Sequence, residues 1–161
     1  MGALIEDTRQ QRGKHDIKAA YFEQNGECVH RCALPVGDYQ RPAKVAVDTK
    51  RDIHELAMDL YRDHARFREE CKTAQKIGTQ LVILVENTDG VRCMNDLANW
   101  AESEQAFRVR NGNGNAKRYK GLSLARMCET MHKKYGVLFG FCTPQEAGKK
   151  IIDILNAYGG D

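Results

Sequence analysis

The chain has 161 residues, 42% of them apolar and 29% charged, the balance of one globular domain and not of a disordered or fibrous chain. Its 25 Lys and Arg against 22 Asp and Glu leave a formal charge of +3, which excludes a polybasic, histone-like chain. A nucleic-acid enzyme stays open, because an acidic metal centre and basic flanks cancel in such a sum.

Ala3 to Ile5 is a short apolar run, expected to form a strand ending at Glu6, Asp7 and Arg9. Residues 15–25 can form a helix with Ile17, Ala20 and Tyr21 on one side, stopped at Asn25-Gly26. Cys28 to Leu34 reads as a strand, residues 35–38 as a turn, and Lys44 to Lys50 as a second strand paired antiparallel to the first through that turn. Asp52 is placed to cap a helix, with Glu55 completing a capping-box pattern. Ile53, Leu56, Ala57, Leu60, His64 and Phe67 follow at helical spacing, the helix continuing or restarting up to Ile77.

Gln80 to Glu86 is the best candidate for the centre of a sheet. Residues 87–120 read as irregular around Asn111-Gly-Asn-Gly-Asn115, a flexible basic loop being expected at about 105–120. A helix from Leu122 to Tyr135, a strand over Val137 to Cys142, and a last helix opened by Thr143-Pro144 complete the order. The pattern is that of an α/β sandwich with a central mixed sheet flanked by helices, as one domain over residues 1–161.

The six cysteines form no Cys-x-x-Cys pair, and the five histidines have no zinc-ligand spacing. Buried, reduced thiols are the expectation, with a Cys28–Cys32 disulfide as the alternative. No charged leader precedes an apolar stretch, and Leu81 to Val85 is too short to span a bilayer, so an intracellular, cytoplasmic location without membrane contact is expected.

Asp48-Thr49-Lys50 ends the second strand of the expected hairpin. The two-residue side-chain period puts Asp48 and Lys50 on one face. There, an aspartate able to ligate a divalent cation stands beside a lysine able to orient a water or to stabilise charge on a phosphate. Asp38, Asp48 and the Thr49 carbonyl suit Mg²⁺ or Mn²⁺, with Asp7 as a further acid. The same triplet also arises by chance at charged strand ends, and the closeness of Asp38 to Asp48 depends on the fold.

The sequence resembles the nuclease domain of the XPF/Mus81 (ERCC4-type) group, within the PD-(D/E)xK restriction-like superfamily. The likeness is carried by Asp7-Thr8-Arg9, by Leu34-Pro35-Val36-Gly37-Asp38-Tyr39, by Val47-Asp48-Thr49-Lys50 and by the segment with Arg66, Phe67, Glu69 and Glu70. It departs from the group in two places: the usual Glu-Arg-Lys is Asp48-Thr49-Lys50, and His54 stands where an aspartate is common. No helix-hairpin-helix module is expected beside a domain of this length.

The resemblance implies a restriction-endonuclease-like three-layer sandwich. It also implies a metal-dependent endonuclease acting on flap, forked or branched DNA, in repair, recombination or phage DNA processing. Asp38, Asp48 and Thr49 would hold Mg²⁺ or Mn²⁺, Lys50 would act on the water or phosphate, and Asp7 would complete the catalytic acids. Arg9 would touch phosphate or brace Asp7. A homodimer or a partner subunit is implied as a source of targeting. The alternative is a catalytically inactive nuclease-like subunit for DNA binding or assembly.

Arg108, Arg110, Lys117, Arg118 and Lys120 add five positive charges with no intervening acid. They make a candidate contact for nucleic-acid phosphates, the alternative being a solvated loop. Trp100 and Phe107 are expected to pack in the core or a lid, with base stacking as the other reading.

Overall fold

A computed structural model describes residues 3–11, 13–41 and 44–158. Six strands form one mixed sheet in the order β2-β1-β3-β4-β5-β6: β1 Leu4–Asp7, β2 Val29–Cys32, β3 Tyr39–Gln40, β4 Val45–Lys50, β5 Gln80–Glu86 and β6 Leu138–Cys142. β2 runs parallel to β1, and β4, β5 and β6 run parallel to one another. The short β3 is antiparallel to both β1 and β4. β1 and β4 therefore point the same way, and the C-terminal ends of five strands meet along one edge of the sheet.

Helices cover both faces, giving three layers. α2 (Ile53–Tyr61), α3 (His64–Lys76), α4 (Met94–Asn99) and α6 (Gly121–Tyr135) enclose a core with Ala46, Ile83 and Val85. α1 (Asp16–Gln24) and α7 (Pro144–Tyr158) cover Val45, Val47, Val82 and Leu84 on the other face. β4 is buried along its whole length, as the flanking layers require. This is the expected three-layer α/β sandwich. Among the described residues, no helix is long and apolar enough to cross a membrane.

Local signals set several boundaries. Asp52 accepts from the Glu55 amide at 2.7 Å, while the Glu55 carboxylate reaches back to the amide of Arg51 at 2.8 Å, one residue before the usual capping-box partner. The expected long helix breaks at residues 62–63 into α2 and α3. β5 keeps its expected bounds.

Four expectations are corrected. The segment at 28–34 does not pair with β4: β2 lies at the sheet edge beside β1, its four residues exposed, and β3 takes the place across the turn. A polar strand of this kind cannot occupy a position covered on both faces. Residues 87–120 are not irregular throughout, since they contain α4 and α5 (Glu104–Asn111), the latter capped by Ser103 Oγ accepting from the Ala106 amide. The buried side of α1 is Lys18 and Phe22, and Ile17 is exposed. All six cysteines are free, but only Cys71, Cys128 and Cys142 are buried; Cys28, Cys32 and Cys93 are exposed.

Candidate active site

Strand β4 delivers Asp48 and Lys50 to the face packed by α2 and α3. The Lys50 ammonium lies 2.6 Å from Asp48 Oδ2 and 2.5 Å from Asp59 Oδ2 on α2. All three residues are buried.

Asp38 reaches the same place through the turn before β3. Gly37 turns the chain at φ +72°, and a Cβ there would stand 3.1 Å from Ala46 Cβ and from the Val47 carbonyl oxygen. The Asp38 amide donates to the Val47 carbonyl at 2.7 Å, and the Asp38 carbonyl accepts from the Asp7 amide at 2.8 Å. The turn is thereby tied to both β1 and β4. Asp38 Oδ2 accepts from the amide and the hydroxyl of Thr49, at 2.6 and 2.7 Å. Glu70 Oε1, from α3, accepts from the Gly37 amide at 3.0 Å.

Burial pushes the Asp48 carboxyl up to about 7, the Asp38 charge adds to the effect, and Lys50 partly offsets it. Burial raises Asp38 and Glu70 as well, against the hydrogen bonds each accepts. Lys50 shows the opposite balance. Burial alone would favour its neutral amine, but Asp48 and Asp59 outweigh burial and hold the proton firmly. Two buried acids, Asp48 and Asp59, thus flank one ammonium, and Asp38 and Glu70 add two more whose charged forms burial disfavours.

These residues line a cleft of about 1000 Å³ at the C-terminal edge of the sheet, together with Asp7, Arg9 and Thr49. The sequence-named acids, the threonine and the lysine therefore converge. Asp7 is engaged with its own neighbour. Arg9 bonds the Asp7 carboxylate through its amide and its guanidinium and also donates to the Leu34 carbonyl at 2.8 Å. Burial acts to raise the Asp7 carboxyl, but the bonds from Arg9 hold it below the usual range.

Asp38 and Asp48 offer oxygen donors only, and so fit a hard divalent cation better than a soft one. Among the described residues, no three His, Cys, Asp or Glu side chains form a ready-made ligand cluster. A cation of the Mg²⁺ type takes one or two carboxylates and completes its shell with water and substrate phosphate.

The basic segment does not line this cleft. Arg110 makes two bonds to Glu102, at 2.8 and 2.9 Å, and lies 4.0 Å from the Tyr119 ring centroid. Glu102 is itself buried, also accepting from the Tyr119 amide and meeting His54 Nε2 at 3.2 Å. Arg108 and Arg118 both pair with Glu104, and Arg118 also covers Phe107. Lys117 and Lys120 make no ion pair among the described residues. Trp100 packs against the core and donates to Asp89 at 2.8 Å, in line with the packing role.

The sequence reading missed Asp59 as the second partner of Lys50, and missed the buried Lys18–Glu86 pair, 2.6 Å apart, which lines the cleft from the other face of the sheet. Asp59 left a faint signal, an acid three residues after Leu56 on the flank of the apolar stripe of α2. Lys18 and Glu86 left none, being 68 residues apart.

A scan against protein-family models finds no match, and a search of curated proteins finds none either. Solved structures do match. The chain is similar to XPF from Aeropyrum pernix, at TM-score 0.63 and 18% identity, over 96% of this chain and 65% of that one. A second structure of XPF from Aeropyrum pernix, in complex with DNA, matches at TM-score 0.66 and 18% identity, over 98% and 64% of the two chains. The chain thus spans a little under two thirds of the length of those structures. The likeness shows the fold: an XPF-like α/β sandwich.

Proposed function

We propose that this chain is a divalent-metal-dependent endonuclease that hydrolyses phosphodiester bonds in DNA, with flap, forked or branched DNA as substrate. In this reading residues 1–161 act as a single nuclease domain inside the cell, as a homodimer or with a targeting partner. The observation that carries the reading is the convergence of Asp38, Asp48 and Lys50 in one buried cleft at a sheet edge. The XPF-like fold supports it, and the DNA held by the similar XPF structure supports the choice of substrate.

Asp38 and Asp48, with the Thr49 carbonyl, would hold Mg²⁺ or Mn²⁺, which when bound supplies Lewis-acid charge against the scissile phosphate. Thr49 fixes Asp38 through its amide and hydroxyl. Lys50, kept protonated by Asp48 and Asp59, serves as a charged hydrogen-bond donor to the attacking water or a non-bridging oxygen, and not as the proton acceptor. Water attacks phosphorus as the phosphorus–oxygen bond to the leaving nucleotide breaks, the proton given up by the water passing to solvent and the leaving oxygen taking one up from it. Asp7 and Arg9 brace the turn that carries Asp38.

The test is a cleavage assay of the whole chain on linear, flap, forked and four-way DNA, with EDTA, Mg²⁺ or Mn²⁺. Cuts that appear with metal and vanish in EDTA are expected, greatest on the junction substrates. The second reading, an inactive DNA-binding or assembly subunit, is favoured by the lack of a three-residue ligand cluster among the described residues. DNA binding without a cut under any metal would establish it.

A further inference from the structure

The buried acids of the cleft lie inside a mouth that carries exposed cations from separate parts of the chain. Lys14 comes from the connection between β1 and α1, Arg51 from the residue after β4, and Arg66 from the first turns of α3; all three line the cleft. Because β1 and β4 point the same way, their following connections rise side by side at this edge.

Arg51 is 72% exposed and Arg66 79%, and their ion pairs are loose, at 3.4–4.0 Å to Asp52, Glu55, Asp59 and Asp63. Lys14 is exposed and forms no ion pair among the described residues. Solvated pairs such as those to Asp52, Glu55 and Asp63 contribute little to stability, so these side chains are free to exchange partners, Arg66 keeping only a long 3.4 Å bond to the buried Asp59. In the 108–120 segment Arg110 is locked to a buried glutamate, Arg108 and Arg118 share Glu104 in exposed pairs, and no residue of the segment lines the cleft.

We propose that Lys14, Arg51 and Arg66 form a basic collar that binds the phosphates flanking the one held over the acidic floor, and that this collar, not the 108–120 segment, is the main electrostatic contact with DNA. The inference rests on the reading of the chain as a protein acting on DNA. It adds to that reading a binding surface on both sides of the cleft. A polyanion is drawn in by the rim, where charge is exposed, while the floor remains reserved for the cation and the scissile group.

The experiment is equilibrium binding of fluorescent forked DNA in EDTA, over a range of salt, for wild type and for Lys14→Gln, Arg51→Gln and Arg66→Gln. Each variant is expected to lower the slope of log affinity against log salt by about one, and to weaken binding at ~0.1 M salt by about three- to tenfold. Lys117→Gln and Arg118→Gln are expected to lower the slope by less than about half as much. Thermal unfolding run in parallel excludes loss of fold, and Lys14 and Arg51 carry the test if Arg66→Gln unfolds.

Unchanged slopes at the collar, or the larger loss at Lys117 and Arg118, would overturn the proposal, as would wild-type binding that does not vary with salt. Because the binding is measured without hydrolysis, the two readings separate. Collar-dependent binding by a chain that never cuts sinks the nuclease and leaves the collar. Metal-dependent cutting with no collar dependence does the reverse.

Discussion

Thr49 donates twice to a single oxygen of Asp38, from its amide at 2.6 Å and its hydroxyl at 2.7 Å. One strand residue thereby fixes the carboxylate that the preceding turn carries, and both bonds favour the charged form. Thr49→Val keeps the strand and the amide bond but removes the hydroxyl. With about 1.5–3 kcal/mol expected for a hydrogen bond to a charged group, cleavage should fall about 10- to 100-fold. Single-turnover rates with saturating Mg²⁺ check this, and a rate within twofold of wild type would count against it.

Lys50 separates Asp48 from Asp59, and its removal leaves two buried carboxylates facing each other. Lys50→Met is expected to cost about 3–5 kcal/mol in the metal-free protein at neutral pH. Adding Asp59→Asn should return part of that stability without returning activity. Urea unfolding of the single and double variants measures both effects.

The Asp48 carboxyl, raised by burial and by Asp38 to about 7, makes stability depend on pH. Its folded-state value lies above the unfolded value of about 3.9. Between about pH 4 and 7 the folded state therefore binds more protons than the unfolded state, and unfolding free energy declines as pH rises through that window. Asp48→Asn should make this decline shallower, leaving the share of Asp38 and Glu70, which burial raises as well. For the same reason Mg²⁺ or Mn²⁺ should raise the unfolding midpoint more at pH 8 than at pH 6, where a proton competes for the carboxylate.

Gly37→Ala tests the turn that aims Asp38. The positive φ and the 3.1 Å approach to the Ala46 side chain both oppose a Cβ there. A loss of about 1–3 kcal/mol is expected, with a drop in cleavage because Asp38 moves with the turn. Thermal unfolding and the cleavage rate of the variant measure the two losses.

The buried Glu102 gathers Arg110, His54 and the Tyr119 amide into one cluster. Glu102→Gln should destabilise the fold by about 1–3 kcal/mol and open the segment after α5 to proteases, with cleavage sites mapped between residues 112 and 119. A digestion pattern equal to wild type would contradict this role.

What could be read from the sequence follows how local each signal is. β5 announced itself as a continuous apolar run, and the Asp48/Lys50 pairing followed from strand alternation. Asp38 could be named from its turn, but its bond to Thr49 depends on β3 lying beside β4, which no short window encodes. The α1 face was misread because Lys18 is buried by a partner 68 residues away, so the apolar Ile17 looked like the better core residue. The basic segment looked free for a similar reason. Arg110 is neutralised by Glu102, and the burial of that glutamate comes from contacts that only the folded chain assembles.

The most direct test of the cleft as a DNA-hydrolysing centre compares wild type with Asp48→Asn and Lys50→Ala on one forked substrate, scoring binding in EDTA and cutting in Mn²⁺. The expected result is metal-dependent cutting by wild type, lost in both variants while each still binds the fork. Cutting that survives either substitution, or wild-type binding with no cut at all, would contradict the assignment of Asp48 and Lys50 to catalysis.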